Sequence, residues 1–155
     1  MVAVLLTMPI AADAASERQI AGWTVTTEES GFSDSETVWA SREGEGVAIA
    51  IRCIRGQTSV GLFTLGALFG AGFDEAAAYT VRMRIDKGSI ETMDLQPLNK
   101  AVAVTARLPF AKPDLYKGRR LFIEVTSPGK SRMEYSFSLA GASAALAPVF
   151  KACNA

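Results

Sequence analysis

Two cysteines, Cys53 and Cys153, and not one histidine among 155 residues set the limits of the chemistry open to this chain. Without histidine neither a Ser-His-Asp nor a Cys-His arrangement can be assembled, and most zinc and other transition-metal sites lose their commonest ligand. No metal or cofactor is expected, and no catalytic residue is assigned. A pair of carboxylates could still run a glycosidase-like hydrolysis, and Asp34, Asp86, Glu91 and Asp94 are the candidates. Each lies in or beside a turn or an exposed strand face, where a solvated carboxylate is the ordinary reading. The neighbourhood of Gly70 and Gly72 lacks the G-x-x-x-x-G-K-[ST] pattern of a phosphate loop.

The cysteines lie 100 positions apart. No C-x-x-C pair is present and no imidazole is available to lower a thiol pKa, which disfavours a redox or nucleophilic role. In an oxidising compartment pairing is the default, and closing so long a loop stabilises a fold by about 4 to 5 kcal/mol in the chain-entropy model. The bond would tie the C-terminal segment to the strand ending at Cys53.

That compartment is suggested by the first residues. Positions 2–10, VAVLLTMPI, are apolar but too short to anchor in a bilayer, and Ala12 and Ala14 fit the A-x-A rule for cleavage. Residues 1–14 therefore read as a signal peptide and residues 15–155 as a single domain. No Lys or Arg precedes Arg18, so the basic start expected of a signal peptide would lie upstream. Sixteen Lys and Arg balance sixteen Asp and Glu, and the pI is near 6.3, so nothing resembles the basic stripe of a nucleic-acid-binding protein.

The least ordinary stretch is 60–73, VGLFTLGALFGAGF, which carries no charge. It reads most simply as a buried strand followed by a packed glycine-rich loop. The functional reading makes Leu68, Phe69 and Phe73 an exposed apolar lip for a partner protein or an acyl chain.

The elements that must position these residues are mostly strands. Segments 23–27 and 37–41 are rich in β-branched and aromatic residues and form an opening hairpin, followed by strands over 47–53 and 58–65. Segment 78–86 alternates cleanly, with Tyr79, Val81, Met83 and Ile85 on one face and Thr80, Arg82, Arg84 and Asp86 on the other. A weaker strand over 90–96 is expected at an edge, and others over 101–106, 121–126 and 133–139. The two prolines of 109–118 limit that segment to a short helical turn. Over 142–153, Ala145, Leu146, Val149, Phe150 and Cys153 share one helical face, with Pro148 predicting a kink or a late start. The fold expected is mainly β: an antiparallel β-sandwich or strongly bent sheet with a short C-terminal helix tied on by the disulfide.

Four stretches, Ser33-Asp34-Ser35-Glu36-Thr37-Val38, Ile51-Arg52-Cys53, the strand Tyr79 to Asp86 and Phe137 to Gly141 leading on to Cys153, resemble the small periplasmic proteins of the type VI secretion-associated VasI group. The resemblance implies a secreted β-rich fold with the two cysteines paired and an accessory role without catalysis. The function expected is that of an exported periplasmic binding or accessory protein, not an enzyme, whose partner is an envelope or secretion-system protein. A carrier of a small apolar ligand or lipid is the alternative, and a histidine-free carboxylate hydrolase the remaining one.

Overall fold

The computed structural model describes residues 15–29, 36–65 and 72–154. Among these, ten strands form one antiparallel sheet: β1 (Ala15–Ile20), β2 (Trp23–Glu28), β3 (Thr37–Glu43), β4 (Val47–Ile54), β5 (Gln57–Thr64), β6 (Tyr79–Ile85), β7 (Glu91–Pro97), β8 (Val102–Val104), β9 (Arg120–Thr126) and β10 (Arg132–Ser138). Helix α1 (Lys112–Lys117) precedes β9 and helix α2 (Ala142–Ala152) follows β10. The expected mainly β architecture with a short C-terminal helix is present. The proposed signal peptide, residues 1–14, lies outside the described residues, as do Asp34, Leu68 and Phe69.

The first five strands are a meander, each beside its sequence neighbour, and the β1–β2, β3–β4 and β4–β5 connections are only two or three residues long. Ala21-Gly22 and Arg55-Gly56 are two-residue hairpin loops in which both residues have positive φ, 50° and 85° in the first and 52° and 76° in the second. Such left-handed pairs match the right-handed twist of the strands they connect. The order then breaks: β5 pairs with β8, and the sheet continues β8-β7-β6-β9-β10. Strand β7 is therefore internal, between β6 and β8, and not the edge strand that its polar alternation suggested. Its outward residues are polar because that face of the sheet meets water, not because its backbone is unpaired.

The sheet bends until both halves cover one core. Trp23, Val25, Val38, Ile49 and Ile51 from the meander pack in the same cluster as Val81, Met83, Ile123, Val125 and Phe137 from the second half. Helix α2 closes this core, burying Ala142, Ala145, Leu146, Val149 and Phe150 chiefly against β3 and β4. Pro148 neither delays nor interrupts it, since the helix runs unbroken from Ala142. The proline leaves only the Ala144 carbonyl without its helical N–H, and Ala144 is exposed, so water can satisfy it.

The bend also brings the two ends of the strand order together. Gly141, which begins α2 at φ 76°, lies against the Ala21 turn so closely that a Cβ there would collide with the Ala21 Cβ. Beside it, the Trp23 indole and the Arg42 guanidinium both donate to the Ala140 carbonyl, at 3.0 and 2.9 Å.

Candidate functional site

Cys53 and Cys153 form the disulfide, with their Cα atoms 5.6 Å apart. Cys53 points into the core from β4 and Cys153 caps α2, so the bond fixes the end of the helix to a central strand. No other cysteine exists to make a thiol site.

Of the carboxylates singled out from the sequence, Asp86, Glu91 and Asp94 lie among the described residues. Asp86 follows β6 at φ 50° and its side chain accepts from the amides of Arg119 and Arg120, at 3.0 and 2.9 Å, fixing the approach to β9. Those two amide bonds, Arg119 first, hold its carboxyl below the ordinary aspartate range, and the Arg119 charge acts the same way. Glu91 and Asp94 are an odd number of positions apart in β7 and so project from opposite faces of the sheet. Among the described residues no group of three or more His, Cys, Asp or Glu side chains could hold a metal ion.

Asp86 thus yields a stability prediction. A carboxyl whose pKa is lower folded than unfolded contributes stability in full above the ordinary aspartate range, and loses it as pH falls through the lower folded value. Asp86→Asn can accept through one oxygen only, so it should unfold at a lower denaturant concentration than the wild type at neutral pH. The gap should close on acidification below about pH 4. Urea midpoints measured from pH 7 to pH 2 check this, and a gap that stays constant with pH would refute the role of the charge.

Phe73 is not part of an exposed lip. It is 2% exposed and packs edge-on against Tyr79, with ring centroids 5.3 Å apart. The reason is the backbone: the Phe73 amide donates to the Lys100 carbonyl at 2.9 Å, drawing this end of the apolar segment inward onto the β7–β8 connection. Leu65, at the other end, is 52% exposed.

Two depressions mark the outer faces of the sheet, and both open to the surface. One, of about 280 Å³, lies over β6, β9 and β10. Its charges balance, Arg82 and Arg84 against Glu124 and Glu134: Arg82 pairs with Glu124 at 3.1 Å, and the Arg84 guanidinium lies over the Phe122 ring at 5.8 Å. The other, of about 850 Å³, crosses the meander and is lined by Trp39, Phe63 and the hydroxyls of Thr24, Thr26 and Ser41, with the carboxylates of Glu17, Glu28 and Glu43 around them; Arg52 stands beside it, outside the lining.

Beside this larger depression the register runs Glu17, Thr26, Trp39, Arg52, Ser59 across the five strands of the meander. Trp39 and Arg52 are directly opposed on β3 and β4, and both are half-buried. Burial lowers the Arg52 pKa from the ordinary arginine value. Among the described residues Arg52 makes no hydrogen bond or ion pair, in contrast to Arg42, Arg82 and Arg120. The Trp39 indole N–H likewise donates to none of them, whereas that of Trp23 is bonded. Sequence reasoning missed this pair. The one signal it offered was Gly61 inside an otherwise regular strand.

No family model and no curated protein matches the sequence. Among solved structures, the chain is similar to invasion associated protein B from Bartonella henselae, with a TM-score of 0.59 and 16% identity over 88% of this chain and 95% of that one. At that identity the likeness is one of fold: the bent antiparallel sheet with its C-terminal helix is an architecture this chain has in common with the Bartonella protein.

Proposed function

We propose that this chain is an exported, non-catalytic binding or accessory module of the bacterial envelope, working through an outer face of its sheet on an envelope or secretion-system partner. The observation that carries the reading is the Cys53–Cys153 bond, since a structural disulfide across 100 positions belongs to an oxidising compartment. Further features support it. The apolar stretch 2–10 with Ala12 and Ala14 fits an export signal. No helix among the described residues is long and apolar enough to cross a membrane. The resemblance to the periplasmic VasI group implies an accessory role. Both depressions are open, which suits a contact face better than an enclosed acyl tunnel.

The deciding experiment is the intact mass of the protein recovered from its native envelope fraction, before and after reduction. The reading expects a mass lacking residues 1–14 that rises by two hydrogens on reduction. A full-length chain with free thiols would overturn it.

A further inference from the structure

The outer face of β3, β4 and β5 contains a glycine that the fold does not require. Gly61 lies in mid-strand, outside the left-handed region, where glycine weakens a strand by roughly 0.5–1 kcal/mol relative to alanine. What it permits is close approach. A Cβ at Gly61 would stand 3.2 Å from Cδ of Arg52 and 3.3 Å from Cε2 of Phe63, tighter than ordinary contact. The missing side chain lets the Arg52 stem lie down across β5 beside the Phe63 ring, and brings Nη1 to 3.7 Å of the same point.

A guanidinium held this way is in an unusual position. It is half-buried and has lost part of its hydration, yet no described acceptor replaces the lost water. Taking a charge part-way out of water without a partner costs free energy, which an anion held there would recover. Glu28 and Glu43 line the neighbouring depression in other rows; within the row that holds Arg52 the one carboxylate is Glu17, three strands away. At 4.7–4.9 Å per strand that is about 14 Å, well beyond ion-pair reach and outside the screening length of roughly 8 Å at physiological salt.

The surroundings narrow the ligand. A planar guanidinium fork suits a carboxylate taken two-handed. Trp39, directly opposite, offers an aromatic surface and an unused N–H donor, and Phe63 offers a second ring. Hydroxyls of Ser41 and Ser59 stand in the adjoining register positions. Ring faces for C–H stacking, hydroxyls for hydroxyls and a cation for a carboxylate together describe one class of molecule. We propose that Trp39, Arg52 and Phe63, set over Gly61, form a binding site for a carboxylated saccharide. This gives a ligand class to the exported binding module proposed above, although the site itself does not depend on export.

The test uses the purified, disulfide-bonded chain. Trp23 is fully buried, so ligand-dependent tryptophan fluorescence reports on Trp39. Titration with a galacturonate trimer should give a saturable change with a Kd of about 0.1–1 mM, as expected of a small open site. Maltotriose, neutral and of similar size, and acetate, a carboxylate without a ring, should each bind at least about tenfold more weakly. Arg52→Gln and Gly61→Ala, each checked for unchanged thermal unfolding cooperativity, should weaken galacturonate binding about tenfold or more, and Trp39→Phe should abolish the optical signal and weaken binding by calorimetry. No saturation by 10 mM ligand, on the order of ten times the weaker expected Kd, overturns the proposal. Equal binding of maltotriose overturns it too, as does tighter binding of a tripeptide with a free C-terminal carboxylate, which would make the ligand a peptide. A failed titration leaves the mass measurement, and so the export reading, untouched; a reduced full-length protein that still binds galacturonate would sink export alone.

Discussion

Replacing Cys53 and Cys153 together by alanine lowers the unfolding free energy by about 4 to 5 kcal/mol on the chain-entropy estimate for a closed loop of this length. The loop spans 100 positions, most of the sheet, so the reduced chain recovers a large part of its unfolded-state freedom. Alanine is chosen because Cys53 is 1% exposed and a serine hydroxyl there would need a partner that the core does not supply. The urea midpoint should fall by roughly 2 M at the slopes usual for small domains. Helix α2 should respond first. Its buried face packs on β3 and β4, but its C-terminal end is held to β4 covalently, so hydrogen exchange near Lys151 should quicken more than exchange in β9. A double variant within about 1 kcal/mol of the wild type would mean that packing of Leu146, Val149 and Phe150 alone fixes the helix, and the bond would lose its structural meaning.

How much of this was readable from the sequence depends on whether a residue acts along its own strand or across to another. Strand β6 follows its alternation: Tyr79, Val81 and Met83 are buried, and Thr80, Arg82 and Arg84 are exposed. The apolar face of α2 follows its three-and-four spacing for the same reason, because the period is local. Strand β1 was missed. Ala15 to Ile20 is exposed at almost every position and has no apolar alternation to detect; its partner β2 and the Ala21-Gly22 turn make it a strand. The edge assignment of β7 failed because an edge is a property of topology, and the jump from β5 to β8 lies far outside any sequence window. Phe73 read as a possible contact residue through its apolar company, whereas the Lys100 carbonyl that draws it inward is remote in sequence. The Trp39–Arg52 pair was hidden in the same way. Neither residue is unusual alone, and only the β3–β4 register places them face to face.

The second large effect is expected at Trp23, where the ends of the bent sheet meet. Trp23 is fully buried, and its ring lies beneath the Arg42 guanidinium at 5.6 Å. Trp23→Ala should cost about 3 to 5 kcal/mol, the range for deleting a large aromatic from a packed core. Trp23→Phe keeps most of the ring, and Arg42 still donates to the Ala140 carbonyl, so that acceptor is not orphaned. Its cost should be nearer 1 to 2 kcal/mol, one hydrogen bond plus a small void. The contrast separates two accounts of why the sheet bends. If the bend is held by volume filled between the β1–β2 turn and the start of α2, the phenylalanine variant recovers most of the stability. If the indole N–H to Ala140 holds the junction, both variants lose nearly as much, and urea unfolding of the pair decides between them. The geometry favours volume, because Gly141 has no room for a side chain against Ala21 and a second donor already serves the carbonyl. On that account Trp23 acts as a wedge: it lets a ten-strand ribbon with two free edges close over one core, and so turns the Trp39 face of the meander outward.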